Sequence, residues 1–242
     1  MTGVRAGYSL RHGGVSASPY DSFNLGDHVG DDPACVQANR RQLARTLGVR
    51  PVFLDQVHGT RGQSLPCPDG VQADAAWTDQ PGCACCIMVA DCLPILVSDD
   101  RGRVVGAAHA GWRGLCGDAH GQGVIESLLT RLRAQQADAH WVAWLGPCIG
   151  PEAFEVGDDV RQAFVGAGAG AMERFRPIPQ RLGKWWCDLP GLARDRLEAL
   201  GVKQVRGNDG SADWCTHSRA DLYFSHRRDR VSGRMAAAIF LA

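Results

Sequence analysis

The stretch Val105-Gly106-Ala107-Ala108-His109-Ala110-Gly111-Trp112-Arg113-Gly114 places a histidine where an apolar, strand-like run meets a glycine-flanked turn. Chemistry is commonly presented at such strand ends. Just upstream, Cys85-Cys86-Ile87-Met88-Val89 leads into Ala90-Asp91-Cys92-Leu93-Pro94-Ile95-Leu96-Val97, where a cysteine beside an acid interrupts a second buried-looking segment. A short apolar strand from Val52 to Val57 ends in the same way, on His58-Gly59. Three strand ends therefore each present one soft or borderline metal ligand: His58, Cys92 and His109.

Outward from this centre, segments 93–98 and 103–109 are joined through Ser98-Asp99-Asp100-Arg101-Gly102, a hairpin-type turn. Further strands are expected near 52–57, 84–90, 141–145, 202–206 and 235–241. Asp32-Pro33 opens a helix, the acid as cap and the proline at its first position, with Val36, Leu43 and Leu47 on one face and Gly48 at its end. Apolar spacing predicts helices over 121–134, 158–165 and 188–200. Residues 1–32, rich in Gly, Ser, Asp and Pro, read as ordered loop and short strands whose polar groups either bond the loop to itself or touch substrate. Gly166-Ala167-Gly168-Ala169-Gly170 closes a helix, whereas a dinucleotide loop follows a strand and opens one, so it reads as a linker or helix stop. With neither repeat nor interdomain linker, strands interspersed with helices imply one mixed α/β (α+β) domain over 1–242, its sheet packed under helices.

Composition narrows the function classes. The chain has 242 residues, 45% of them hydrophobic, enough to build a core. Lys+Arg and Asp+Glu both number 26 and no segment concentrates one sign, so neither a nucleic-acid groove nor an anionic membrane surface is suggested. No apolar run approaches the ~18 residues of a spanning helix and no secretory signal is visible, so a cytoplasmic protein is expected. Ten cysteines fall below the density of a disulfide scaffold and are expected to be reduced and mostly buried.

Two histidines and a cysteine separated by 34 and 17 residues (92 − 58 and 109 − 92) match no compact zinc-finger spacing. Their shared context, each closing an apolar segment, supports a metal site nonetheless. Three ligands leave a fourth position open, as catalytic zinc does, and zinc there would lower the pKa of water and polarise a substrate oxygen. The same residues allow a second arrangement, with Cys92 as thiolate nucleophile, His109 as its base and Asp91 or another polar group as orienter. The nucleobase-deaminase zinc signature is absent, and eight scattered histidines without a His-x-His do not suit multicopper chemistry, although a single adventitious copper fits a His2Cys set. Arg113 is the best candidate for holding an anion, because its tether to the ligand turn constrains it. Arg227, Arg228, Arg11 and Asn24 are the other candidates for substrate contact.

The motifs RHGGVS (11–16), SFNLGDHVGDD (22–32), QVHG (56–59), ADCLPIL (90–96), AAHAGWRG (107–114), LGPCIGP (145–151), FEVGDDV (154–160), CTH (215–217) and FSHRRD (224–229) together resemble the YfiH family, also called laccase-domain or polyphenol-oxidase-like proteins. The resemblance runs in order across nearly the whole chain. It implies an α/β domain of layered mixed sheets flanked by helices, related in fold to the bacterial cytotoxic-necrotising-factor cysteine hydrolases. It also implies a zinc site on His58, Cys92 and His109. The activity implied is phosphorolysis of adenosine, inosine and methylthioadenosine together with adenosine deamination, so the partners are a purine nucleoside and phosphate, acted on by a monomer or homodimer. Family members are also described as copper-dependent polyphenol oxidases and as peptidoglycan-editing factors. Departures at Gly62 and at Cys85-Cys86 touch no proposed ligand.

Overall fold

The computed structural model describes residues 3–118, 120–167 and 171–242. In chain order the first elements are β1 (Val4–Tyr8), α1 (Pro33–Leu47), β2 (Arg50–Phe53), β3 (Gly62–Ser64), β4 (Ala75–Thr78), β5 (Cys83–Val89), β6 (Leu93–Asp99) and β7 (Val105–Ala110). There follow α2 (Trp112–Cys116), α3 (Val124–Gln135), β8 (Trp141–Leu145), β9 (Glu155–Gly157), α4 (Asp158–Ala167), β10 (Phe175–Pro177) and β11 (Lys184–Cys187). The last are α5 (Leu189–Ala199), β12 (Gln204–Gly207), α6 (His226–Asp229) and β13 (Met235–Leu241).

Two mixed sheets stack face to face. One has the order β1-β13-β5-β2, the other β12-β8-β6-β7-β4-β3, and a small antiparallel sheet β10-β11-β9 lies apart. Period-two alternation along the central strands explains why their sequences read as unbroken apolar runs. In β5, Cys85, Ile87 and Val89 enter the layer between the sheets, while Ala84, Cys86 and Met88 pack outward with Leu43 of α1. In β7, Val105 and Ala107 face the inter-sheet layer, whereas Ala108 and Ala110 pack with Leu128, Leu129 and Leu132 of α3. The result is four layers: α1, two sheets, then α3 with α5. His109 shares the parity of Val105 and Ala107, so the site develops at the margin of the inter-sheet layer.

The mixed α/β class and most elements follow the sequence. Asp32 caps α1 by accepting from Ala34 N, Pro33 is its first residue, and Gly48 ends it with φ 73°. α3 begins at Val124, later than the spacing suggests, because Glu126 Oε2 accepts from Gly123 N and fixes the start there. α4 runs on to Ala167; Gly168, Ala169 and Gly170 of the expected linker lie outside the described residues. The strand expected over 52–57 stops at Phe53, and the chain beyond it wraps around a buried carboxylate. Polar groups of the N-terminal segment bond within it and to α1: Ser22 Oγ accepts from Gly13 N and Gly14 N, and Asn39 Nδ2 donates to Ser16 Oγ and Asn24 O. All ten cysteines are free thiols, and seven are buried. Among the described residues no helix is long and apolar enough to cross a membrane.

β7 and α3 approach closely at Gly106. A Cβ at Gly106 would stand 2.8 Å from Leu128 Cδ1 and 3.1 Å from Ala76 O. Gly106→Val should therefore cost about 1–3 kcal/mol through forced repacking. Urea unfolding checks this, and an unchanged midpoint would contradict the packing described.

Candidate metal centre

Three chain segments bring His58, Cys92 and His109 together, with one donor atom of each within 4.8 Å of the others. His109 comes from the end of β7 and is buried; Cys92 lies in the turn between β5 and β6 and is half-buried; His58 is exposed in the loop after β2. Cys92 Sγ is 3.7 Å from His58 Nε2, and the two imidazoles meet edge to face with centroids 4.7 Å apart. His58 sits at φ 62° and Asp91 at φ 91°, left-handed conformations held by their surroundings.

The restraint comes from Asp74, which sequence reasoning missed. Its Oδ1 accepts from His109 Nδ1 at 2.8 Å and from His58 N at 2.9 Å, and its Oδ2 accepts from Gly59 N at 2.7 Å and Val57 N at 3.2 Å. An ionised carboxylate only accepts, so His109 Nδ1 carries the proton and Nε2 is the atom left for a ligand. The carboxylate-histidine-metal arrangement is the one that orients metal-binding imidazoles. A signal was present in the sequence: Ala73-Asp74-Ala75-Ala76 is an acid set among small apolar residues at the start of a strand.

The expected orienter, Asp91, does not contact His109. Its Oδ1 accepts from Thr216 Oγ1 and its Oδ2 from Arg227 N, both at 2.6 Å, because the left-handed turn aims the carboxylate at the 216–227 segment. Asp91 thus ties the Cys92 turn to α6.

Two glycines of AAHAGWRG are explained by close approach. A Cβ on Gly111 would lie 2.8 Å from His58 Cδ2 and 3.1 Å from Cys92 Sγ, and one on Gly114 would lie 2.7 Å from Gly59 O. Any side chain there displaces the donors.

Burial opposes charge on Cys92, but His109 and His58 win, and its pKa falls to about 6. Burial likewise opposes a charged His109, yet Cys92 and Asp74 hold its pKa up at about 9. Burial also works against Asp74, whose bonds from His109, Gly59 and His58 still keep it below the usual carboxylate range. Between those values the metal-free site is a thiolate-imidazolium pair. A thiolate and two imidazoles converging with an anchoring carboxylate fit a divalent zinc-type ion.

The donors line a cavity of about 410 Å³, within the usual range for small-molecule sites. Met88, Val89, Ile149, Phe154 and Leu189 make its apolar wall; Arg113, Arg227, Arg234, His28 and His226 supply the polar side. Arg113 is exposed, with its guanidinium 4.5 Å from the centre of the Trp112 ring. Arg227 donates Nη1 to Glu155 O and lies over Phe154. The other sequence candidates are not brought here. Arg11 binds Asp21 and Ala220 O, Arg228 binds the carbonyls of Thr216, His217 and Tyr223, and Asn24 is buried, bonding Gly26, Asp31 and Arg234 N. Another cleft of about 440 Å³, beside β1 and β8, is lined by no histidine, cysteine or acid.

Fold and site together define a layered α/β protein with a candidate metal centre opening into an amphipathic cavity. Residues 5–242 match the family model described as multi-copper polyphenol oxidoreductase laccase. A Pseudomonas aeruginosa protein named purine nucleoside phosphorylase is 46% identical over 98% of this chain and 93% of its own length. The Escherichia coli purine nucleoside phosphorylase YfiH is 44% identical over 99% of this chain and 94% of its own. Among solved structures, a Neisseria meningitidis protein covers 100% of this chain and 95% of its own at TM-score 0.89 and 39% identity. YlmD from Geobacillus stearothermophilus reaches TM-score 0.88 at 32% identity, over 99% of this chain and 92% of its own. The chain belongs to the YfiH family of laccase-like proteins. The family description speaks of several coppers; among the described residues the structure gathers one such donor group.

Two outcomes are expected. In chelator-treated protein, alkylation of Cys92 by iodoacetamide, followed by peptide mass spectrometry, should inflect near pH 6. Because the folded pKa is depressed, reactivity persists as pH falls to that value; an inflection near the ordinary ~8.5 would show the pair is not formed. Asp74→Asn should weaken metal binding by about 10–100-fold. A competition titration with a chromophoric chelator measures this, and wild-type affinity would refute the anchoring role.

Proposed function

We propose that this protein is a zinc-dependent purine nucleoside phosphorylase of the cytoplasm, acting on adenosine, inosine and methylthioadenosine, with adenosine deamination as a side activity. The observation that carries the reading is the cavity itself. It joins a His2Cys donor set to an apolar wall and three arginines, and its one carboxylate, Asp91, has a donor on each oxygen. Such a lining suits a neutral, planar base beside an anion. The names carried by the Pseudomonas and Escherichia relatives supply the reaction class.

Phosphorolysis requires a phosphate oxygen to bond the anomeric carbon as the bond to the purine nitrogen breaks. The apolar wall takes the base and excludes water from it, and the cationic side concentrates and orients phosphate. Arg113, exposed at the rim, draws the anion in. Zinc held by His58, Cys92 and His109 would supply Lewis-acid polarisation of a substrate or phosphate oxygen. Asp74 keeps the His109 proton on Nδ1, away from the reacting side.

A second reading has one observation in its favour. Cys92, His109 and Asp74 stand as nucleophile, base and orienter, the arrangement of a cysteine hydrolase, which accords with an amide or muramyl-peptide substrate.

Incubation with adenosine, with and without phosphate, separates these. Adenine and ribose 1-phosphate should form only with phosphate, and Cys92→Ala should abolish them. Inosine formed without phosphate would show the deaminase. Cleavage of a muramyl peptide with nucleosides untouched would overturn the phosphorylase in favour of the hydrolase.

A further inference from the structure

Arg234 belongs to none of the motifs read from the sequence, yet it lines the cavity beside the metal donors. Its backbone is fixed by the N-terminal segment: Arg234 N donates to Asn24 Oδ1 at 2.8 Å, and Leu25 N donates to Arg234 O at 3.1 Å. A Cβ on Gly26 would stand 2.7 Å from Arg234 Cγ, so that glycine admits the aliphatic stem. The buried Asn24 and the close Gly26 of SFNLGDH thus act at the cavity indirectly, by setting this side chain.

The guanidinium is half committed. Nη1 donates to Ser232 O at 2.9 Å and to Gly233 O at 3.1 Å. Among the described residues Nε and Nη2 have no hydrogen-bond or ion-pair partner. Among the described residues the fully buried side-chain nitrogens and oxygens without a partner are Tyr8 Oη and Arg161 Nε, so the free donors of Arg234 are accessible, and the residue lines the cavity. Nε and Nη2 form the edge of a guanidinium that meets two oxygens of an oxyanion side by side.

The other cavity arginines are placed differently: Arg113 lies exposed against Trp112, and Arg227, whose Nη1 also donates to a carbonyl, lies over the ring of Phe154. Asp91 does not pair with Arg234, since its oxygens serve Thr216 and Arg227. Burial pulls the Arg234 pKa down, while Cys92, Asp91 and Tyr20 attract its charge without bonding it. A largely buried cation with a free fork and no paired carboxylate is balanced most favourably by an anion from outside.

We propose that the Nε–Nη2 edge of Arg234 is the docking point for an oxyanion in this cavity, and that the anion is inorganic phosphate. The identity of the anion rests on the phosphorylase reading; the anion site does not. Arg234 positions the co-substrate from the wall formed by the 22–28 segment and the start of β13, and Arg113 acts from the rim.

Calorimetric titration of the metal-loaded protein with inorganic phosphate, without nucleoside, tests the site. Arg234→Met should weaken phosphate binding by at least about tenfold, as expected when hydrogen bonds to a charged group are lost. Arg234→Lys, which keeps the charge but not the fork, should fall between Arg234→Met and wild type, and Arg113→Ala should lose less than either. In steady state the same variants should raise KM for phosphate while leaving KM for the nucleoside within about twofold, the pattern of a lost co-substrate contact. Free guanidine should restore part of the Arg234→Met loss. Wild-type phosphate affinity in both Arg234 variants, or no binding of millimolar phosphate by the wild type, would overturn the proposal. Phosphate binding that depends on Arg234, with no cleavage of any nucleoside, would leave the anion site standing and remove the phosphorylase reading.

Discussion

The Asp74 carboxylate is fully buried and takes four hydrogen bonds, one from the His109 imidazole and three from consecutive backbone amides at 57–59. A charge withdrawn from water is tolerated only when its lone pairs are met, so these donors are obligatory partners of one another through the carboxylate. Asp74 O also accepts from His109 N at 2.7 Å, which fastens the same residue to β7 by its main chain. Two of the three candidate metal ligands are therefore set by a residue that need not touch the ion. The loop that carries His58 is pinned by a single bridge at Asp55 and by Gln56 on Met88, and at residues 57–59 it wraps around that carboxylate.

The surrounding layers make this geometry stiff. β5, β6 and β7 are buried on both faces, and their alanines, cysteines and glycines let sheet approach sheet and sheet approach helix. Interiors packed to crystal-like density transmit displacement, so the donors at the end of the inter-sheet layer inherit the register of strands far from the surface. Asp91 adds a second tie. Held by Thr216 and the amide of Arg227, it joins the turn bearing Cys92 to the segment that supplies the opposite cavity wall.

The cavity then divides into complementary halves. Soft donors and a thiolate-imidazolium pair occupy one side, apolar side chains another, and arginines the remainder. The arginines are not equivalent: Arg113 is stacked on Trp112 at the rim, Arg227 lies over Phe154, and Arg234 is set by the N-terminal segment through Asn24 and Gly26. Difference in the company each guanidinium keeps, rather than difference in charge, separates an anion holder from a structural strut such as Arg228 or Arg11.

The primary sequence by itself determined the periodic features. Apolar runs that must be buried gave the central strands, Asp32-Pro33 and Gly48 bounded the first helix, and residues closing apolar runs marked His58, Cys92 and His109, because short-range patterning acts through neighbours along the chain. The ordered motifs carried the family. What the sequence did not contain was the pairing of groups far apart along it. His109 lies 35 residues from Asp74, Thr216 lies 125 from Asp91, and Arg234 lies 210 from Asn24. Asp91 adjoins Cys92 and was the natural orienter on proximity in sequence, but a left-handed turn directs it elsewhere. Hydrogen-bond satisfaction of buried polar groups is settled only when the layers close, and that closure chose Asp74 as the anchor and brought Arg234 to the cavity.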